Sequence, residues 1–183
     1  MADPKADGES QMIIVGIDPG IGGASCVFDT KAGRPVEVID LPVRRDGEKT
    51  WQLDVPDYCN WLSRVGATRV VIERITPMPG LDAKGARTRS MGAASAFRFG
   101  VIFGQLRASV EALGAPLSLV TPVVWKRHWK LPAAKDSAMA LVLEKWPDMK
   151  AVLFHKIHHN RADATLIAAW GAVHHRGLAA GTV

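Results

Sequence analysis

The sequence predicts a three-layer α/β domain in which a mixed, five-stranded sheet lies between helices. Three short apolar segments rich in β-branched residues come close together before residue 42, which favours an antiparallel meander. Two further apolar segments each follow a helical pattern, which favours parallel strands joined by crossovers. We therefore expect three antiparallel strands followed by two parallel ones, with helices on the sheet.

Each element has a local signal. The first strand ends at the turn Asp18-Pro19-Gly20. Asp54 precedes an apolar period and is a typical helix N-cap, and Thr121-Pro122 has the pattern of a helix N-cap followed by a first helical residue. The predicted strands are 12–17, 24–28, 36–41, 69–72 and 117–120, and the predicted helices are 55–64, 94–113, 136–145 and 160–174.

The composition is that of one folded domain. The chain has 183 residues, of which 48% are apolar and 22% charged. We expect the domain to cover 12–175, between a disordered tail at 1–11 and a short tail at 176–183. Cys26 and Cys59 are too few for a disulfide scaffold or a four-thiolate zinc site. No apolar run reaches the length of a membrane span and the first residues resemble neither a signal nor a transit peptide, so we expect a cytoplasmic protein with no membrane partner.

Positive charge is concentrated in the middle of the chain. Residues 1–73 have a net charge of −4 and residues 74–135 a net charge of +8, within a total of +5. Such a segment is typical of a phosphate-binding surface, and it also occurs on solvated surfaces without that role. The segment 76–92, with two prolines and three glycines, is predicted to be a loop long enough to indicate a function. The basic side chains of this loop are Lys84, Arg87 and Arg89.

Two carboxylates come at the ends of buried strands. Asp18 ends the first apolar strand and Glu73 ends the fourth. Open α/β sheets place their sites at the carboxyl ends of strands, and neighbouring strands are about 4.8 Å apart. If these two strands are neighbours, both carboxylates can reach one cation, which relieves their repulsion. Taken singly, Asp18 also fits a cap of the following turn, and Glu73 fits an ion pair with Arg69 or Arg74.

A third carboxylate, Asp163, precedes the apolar part of the last helix. His159 is four residues earlier and Asn160 three residues earlier, so both share its face, whereas His158 is at or before the helix start. Oxygen ligands with few thiolates favour Mg²⁺ or Mn²⁺ over zinc. Two alternatives stay open: Asp163 as a simple helix cap, and a zinc site or solvated cluster made by His155 with His158 and His159.

Together these motifs resemble the RuvC family of Holliday junction resolvases, and most closely its phage and plant-organellar branch. The matching segments are GIDPG at 16–20, VVIE at 70–73, ITPMPG at 75–80, TPVVWKRHW at 121–129, KDSA at 135–138 and HNRADATLIAAWG at 159–171. They follow the order and approximate spacing of the family over residues 12–171. The resemblance implies an RNase H-like fold and a bacterial or phage-encoded protein.

The resemblance also implies a homodimeric endonuclease that cuts four-way DNA junctions by paired, symmetric nicks. It implies dependence on Mg²⁺, for which Mn²⁺ substitutes, with two ions in each active site and no small-molecule cofactor. By motif position, Asp18, Glu73 and Asp163 belong to the catalytic and metal-binding set. His158 stands where relatives have a further acid, and His159 matches their histidine. Helical geometry favours His159 as the fourth catalytic residue, with His158 as the alternative metal ligand.

The same resemblance assigns the DNA contacts. Lys126 and Lys135 occupy the two basic positions of the family, and Arg127 is next to the first of them. Thr76 stands where other members have a base-stacking aromatic side chain. We expect the basic loop to enter the junction and to contact the DNA through Lys84, Arg87 and Arg89.

Some features have two interpretations. Gly100 and Gly104, four residues apart in the helix 94–113, allow close approach of either the domain's own sheet or a second subunit, and the family likeness favours the dimer. Trp125 and Trp129 fit core anchors or platforms for unpaired bases. Two other functions stay open: a junction-binding module in which histidines replace a needed carboxylate, and an RNase H-fold nuclease acting on flaps or RNA–DNA hybrids.

Overall fold

β1 is the centre of the main sheet and fixes the position of the strands beside it. The computed structural model describes residues 11–47, 50–74, 92–134, 136–175 and 181–182. In chain order the strands are β1 (Ile13–Asp18), β2 (Ala24–Asp29), β3 (Arg34–Asp40), β4 (Val43–Asp46), β5 (Thr50–Leu53), β6 (Arg69–Glu73), β7 (Leu117–Val120) and β8 (Gly181–Thr182). Within the described ranges, six of them form one sheet in the order β3-β2-β1-β6-β7-β8.

The pairing confirms the predicted meander and the predicted crossovers. β2 pairs antiparallel with both β1 and β3, whereas β6 pairs in parallel with both β1 and β7. All five predicted strands are present, with bounds within two residues of those expected. β8 adds a two-residue parallel strand beside β7, in the region where the sequence predicts a C-terminal tail.

Helices cover both faces of the sheet. They are α1 (Val55–Val65), α2 (Ala93–Ala112), α3 (Pro122–His128), α4 (Ser137–Lys145) and α5 (His159–His174), with short 3₁₀ helices at Pro147–Ala151 and Lys156–His158. Because side chains alternate along a strand, Val15 and Ile17 belong to the apolar cluster with α1 and α2, whereas Ile14 belongs to the cluster with α4 and α5. The three-layer arrangement is therefore confirmed.

The helix ends follow the predicted signals, with one exception. The Asp54 side chain accepts a hydrogen bond from the Asp57 N–H (3.3 Å), and α1 stops at Gly66, whose φ of 63° is the left-handed conformation that favours glycine. Pro122 occupies the first turn of α3. Thr121 is the N-cap residue in an extended conformation, as predicted, and the exception is that its side chain makes no capping bond.

The hairpin formed by β4 and β5 is absent from the sequence prediction. Its strands pair antiparallel, and most of their side chains are exposed and polar, so the segment has no apolar alternation to reveal it. α2 secures it through one side chain: the Gln105 Oε1 accepts from the Leu53 N–H (3.2 Å), and its amide donates to Gln52 (3.3 Å).

Candidate active site

The carboxyl ends of β1 and β6 meet at one edge of the sheet. The strands pair in parallel with Ile17 opposite Ile72, so the next residues, Asp18 and Glu73, end their strands at the same edge. The two strands are therefore neighbours, which is the condition under which both carboxylates were predicted to reach one cation. Two acidic side chains are thereby brought together by backbone pairing alone.

α5 brings a third carboxylate to this edge. The helix passes so close to Gly16 that a side chain there would overlap the main chain of Ala168. At the start of α5, the Asn160 side-chain amide donates to the Gly22 carbonyl in the turn after β1. These two contacts fix the N-terminal half of α5 beside the strand ends, and Asp163 lies in this half, just after the first turn.

Asp18, Glu73 and Asp163, here called the acidic cluster, are electrostatically coupled. Burial raises the pKa of Asp18 well above its ordinary value, and the negative charges of Glu73 and Asp163 raise it further. Burial also raises the pKa of Glu73 and of Asp163. Lys126 lowers the pKa of all three. The cluster therefore consists of three mutually repelling acids near one lysine.

The donor chemistry of the acidic cluster fits a hard divalent cation. Within the described ranges, the Asp18 and Asp163 side chains form no hydrogen bond or ion pair, so their oxygens stay available. Carboxylate oxygens are the ligands that Mg²⁺ prefers. In that same part of the chain no three His, Cys, Asp or Glu side chains already surround a point suited to a metal ion. The cluster thus fits by donor type and charge, and binding requires its side chains to converge.

A cavity of about 370 Å³ adjoins the cluster. Residues of α3, α4, α5 and the connection between α3 and α4 line it. Lys126, His159 and Asp163 form its polar wall, and Leu131 and Ala138 are among its apolar lining. One wall therefore presents a cation, an imidazole and a carboxylate, which are groups that act on a phosphodiester.

The two candidate histidines at the start of α5 have different surroundings. His159 lines the cavity with Asp163 and lowers the pKa of that acid. His158 packs its ring edge-on against Phe154 (4.7 Å between ring centres), and its Nδ1 accepts from the His155 N–H (3.4 Å). The 3₁₀ turn before α5 thus directs His158 away from the acidic cluster. His158 is not among the groups that affect the pKa of the three acids. It lies beside His155, with 5.7 Å between the ring centres, but among the described residues no three His, Cys, Asp or Glu side chains form a metal site, which argues against the zinc alternative.

α3 contributes two adjacent residues to the site. Trp125 is fully buried, and its indole N–H donates to Glu73 Oε1 (2.9 Å). Lys126 is exposed, with its Nζ 5.0 Å from the centre of the Trp125 ring. One turn later, the Trp129 indole donates to the Leu166 carbonyl (2.9 Å). Both indoles are used inside the domain, as the core-anchor interpretation predicted.

The remaining candidates for DNA contact are only partly described. Arg127 is exposed on α3 beside Lys126. Thr76, at the position of the stacking aromatic, lies outside the described residues. So do the other predicted contacts, which are Lys84, Arg87, Arg89 and Lys135.

The outer face of α2 carries an open apolar stripe. Gly100 and Gly104 are exposed, and a Cβ added at either would meet nothing within 4 Å. Phe97 is 73% exposed and Val101 is also exposed beside them. Among the described residues nothing packs against Gly100 or Gly104, so the interpretation that these glycines allow close approach of the domain's own sheet is wrong.

The sequence did not predict two hydrogen bonds that build the site. One is the Trp125 bond to Glu73, and the other is the Asn160 bond to Gly22. The Trp125 bond had a usable signal, because a buried indole needs an acceptor and Trp125 lies near the start of a helix that follows a strand. The second had none, because it depends on the conformation of a glycine-rich turn.

Two solved structures of RuvC from Thermus thermophilus share this architecture. One of them, in complex with a Holliday junction substrate, gives a TM-score of 0.55 at 20% sequence identity and covers 91% of this chain and 96% of that one. The other gives a TM-score of 0.54 at the same identity and coverage. The fold is that of RuvC. The predicted RNase H-like class is thereby confirmed.

A local sequence match adds a likeness to a further protein. The chloroplastic Holliday junction resolvase MOC1 of Chlamydomonas reinhardtii is 48% identical over 65 residues. The match covers 33% of this chain and 7% of that protein, so the chain spans a small part of that relative's length. No family model matches the sequence. In the described part of the RuvC-like domain, every helix is too short or too polar to cross a bilayer.

Proposed function

We propose that this protein is an endonuclease that resolves four-way DNA junctions with the help of divalent cations at the acidic cluster. The observation that carries the proposal is the electrostatic coupling of Asp18 to Glu73, Asp163 and Lys126, at one edge of a RuvC-like sheet. The likeness to a chloroplastic Holliday junction resolvase supports the choice of substrate. A cytoplasmic, bacterial or phage-encoded protein belongs to the same proposal, on the motifs alone.

The three acids have distinct roles in the proposed reaction. When bound, Mg²⁺ or Mn²⁺, in a pair at each site, neutralises charge on the scissile phosphate and acidifies the attacking water. Asp18, Glu73 and Asp163 would hold the cations, and Asp18, at the end of the central strand β1, would share them with the other two acids. Burial raises the pKa of all three acids, and a bound cation would stabilise their ionised forms in this low-dielectric setting.

The other residues at the cavity act on the substrate. His159 shares a wall with Asp163 and is placed to accept the proton of the attacking water. Lys126 places its ammonium group beside the acids, where it contacts the phosphate and fixes its position. These contacts are independent of base sequence, so the junction is recognised by shape and charge.

Paired nicks require two active sites, and we place the second one on a second copy of this chain. The stripe of Phe97, Gly100, Val101 and Gly104 on α2 is the proposed contact, because it is apolar, exposed and free of bulky side chains at two positions. A two-fold dimer matches the two-fold symmetry of a four-way junction.

A labelled synthetic four-way junction, incubated with and without Mg²⁺, tests the proposal. Duplex, flap and RNA–DNA hybrid substrates serve as controls. We expect nicks at symmetric positions in opposing strands, only with the metal and only on the junction. Tight junction binding without cleavage in Mg²⁺ or Mn²⁺ would establish the binding module instead. Preferential cleavage of flaps or hybrids would establish a different RNase H-fold nuclease.

A further inference from the structure

Trp125 on α3 and Trp129, which directly follows α3, use their indole N–H groups differently. Trp129 donates to the main-chain carbonyl of Leu166 at 2.9 Å, which fastens α3 to α5. Trp125 donates at the same distance to Oε1 of Glu73, a carboxylate of the acidic cluster. A buried aromatic side chain with no reactive chemistry of its own is therefore bonded directly to a proposed cation ligand.

The position of Trp125 is fixed by the local structure. β6 and β7 end side by side with Glu73 opposite Val120, and α3 starts two residues after Val120. The Thr121 carbonyl accepts from the Trp125 main-chain N–H (3.4 Å), which closes the first turn. The ring is fully buried in the apolar cluster with α4 and α5, so it cannot turn away from Glu73 without opening the core.

The hydrogen bond has a chemical consequence for the carboxylate. An indole only donates, so it occupies one oxygen of Glu73 and cannot exchange roles. Among the described residues, no other group donates to the Glu73 side chain. The bond at Oε1 restricts rotation of the carboxylate and leaves Oε2 for another partner. Groups that orient a metal ligand in this way change metal affinity or activity by about 10- to 100-fold.

We propose that Trp125 is a positioning residue of the acidic cluster: its indole N–H holds the Glu73 carboxylate in the orientation that receives a divalent cation. This inference rests on the proposed function, in which Glu73 is a cation ligand, and extends it to a residue outside the acids. It also explains why a seven-residue helix follows β7 directly. One turn of α3 then sets both the orientation of Glu73 and the position of Lys126.

Two matched variants on the same helix test the proposal. Trp125→Phe keeps most of the ring and removes the N–H that reaches Glu73, and Trp129→Phe removes the N–H that reaches a main-chain carbonyl. Junction cleavage is measured across Mg²⁺ concentrations, and junction binding is measured in Ca²⁺. Trp125→Phe should raise the half-saturating Mg²⁺ concentration about tenfold with unchanged binding. Trp129→Phe should leave the Mg²⁺ dependence within about twofold, even where it lowers the melting temperature.

A second readout needs no cleavage. In protein labelled with ¹⁵N at tryptophan, the Trp125 Nε1–H resonance is assigned by its loss in Trp125→Phe, or by elimination among the other indoles if that variant does not fold. It should move when Mg²⁺ is added and when Glu73→Gln replaces the charged acceptor by a neutral one, while the Trp129 resonance stays in place.

A Trp125 resonance indifferent to both changes would overturn the proposal, as would a folded Trp125→Phe variant with the Mg²⁺ dependence of the wild type. A shifted resonance in a protein that cuts no junction would support the positioning role and contradict the proposed substrate.

Discussion

The main sheet carries two groups of carboxylates with opposite electrostatic character. On β3, Glu37 pairs with Arg64 at 2.5 Å and Asp40 pairs with Arg161 at 2.6 Å. The hydrogen bonds from these arginines hold the pKa of both acids below the ordinary value. On the central strands and α5, burial raises the pKa of every member of the acidic cluster. Ion pairs thus compensate the charge of the acids on β3, whereas Lys126 does not offset the effect of burial on the acidic cluster.

The difference separates acids that stabilise the fold from acids that cost stability. The ionised forms of the β3 acids are favoured by folding, whereas the ionised form of the acidic cluster is disfavoured by it. Proteins are stable by only about 5–15 kcal/mol, so buried like charges are a substantial cost. Such a cost is typical of functional sites, where a ligand completes the charge balance.

The largest expected effect comes from Asp18→Asn, which removes the acid coupled to both others. Cleavage should fall by about 100- to 1,000-fold, because the proposed shared cation ligand is lost. Junction binding in Ca²⁺ should stay within about twofold. The control is Asp29→Asn at the opposite end of the sheet, where the side chain accepts from the Lys31 and Ala32 N–H groups in a turn. Normal cleavage by Asp18→Asn would show that the acidic cluster is not the catalytic site.

Lys126→Ala should have the next largest effect. It removes the cation that lowers the pKa of all three acids and that we place against the phosphate. We expect cleavage to fall about tenfold and the slope of log affinity against log salt concentration to decrease by about one. Binding is measured at four salt concentrations, beside Lys31→Ala in an exposed turn. Equal salt slopes for Lys126→Ala and the wild type would exclude a phosphate contact.

Local sequence patterns were sufficient to predict the two strands that carry Asp18 and Glu73. β-branched runs and turn residues located β1 and β6, and their terminal acids followed. The sequence could not show that α3 donates to Glu73, because Trp125 is 52 residues away and its partner depends on the pairing of β6 with β7. The β4–β5 hairpin was hidden by its charged residues and is held by a glutamine on α2.

The choice between His158 and His159 shows a second limit of sequence reasoning. They are adjacent in the chain, and one belongs to a 3₁₀ turn whereas the other begins α5. A shift of one residue in the helix boundary changes the direction of each side chain, and such boundaries are poorly encoded. The four-residue spacing of His159 and Asp163 was the informative signal, because it places both on one helical face.

A smaller effect on stability should distinguish the acidic cluster from the β3 acids. An acid whose folded-state pKa is raised stabilises the fold when protonated, and this contribution is lost as pH rises through that pKa. Without a divalent cation, Asp18→Asn should therefore melt above the wild type at pH 8, by about 2–4 °C for each kcal/mol relieved. The melting temperatures of the variant and the wild type should converge below about pH 3, where Asp18 is protonated in both the folded and the unfolded state. A variant that melts below the wild type at pH 8 would contradict the raised pKa.

The smallest effect, with the opposite sign, is expected for Asp40→Asn. An acid whose folded-state pKa is lowered stabilises the fold above its ordinary pKa and loses this contribution as pH falls through the folded value. The Asp40 side chain is 61% exposed, so solvent screens its ion pair with Arg161. We expect the melting temperature at pH 7 to fall by about 1–2 °C, and the difference to vanish as the pH falls below the lowered pKa of Asp40. A rise in melting temperature at pH 7 would remove the contrast between the two groups.

The central claim, that the acidic cluster is an uncompensated cation site, is tested most directly by thermal unfolding in the presence and absence of 10 mM Mg²⁺ or Mn²⁺. For a site with a dissociation constant of about 1 mM, the wild type should melt about 3–6 °C higher with the cation. The melting temperature of Asp29→Asn should rise by the same amount, and that of Asp18→Asn should not rise. Equal stabilisation of Asp18→Asn and the wild type, or no stabilisation of either, would contradict the claim.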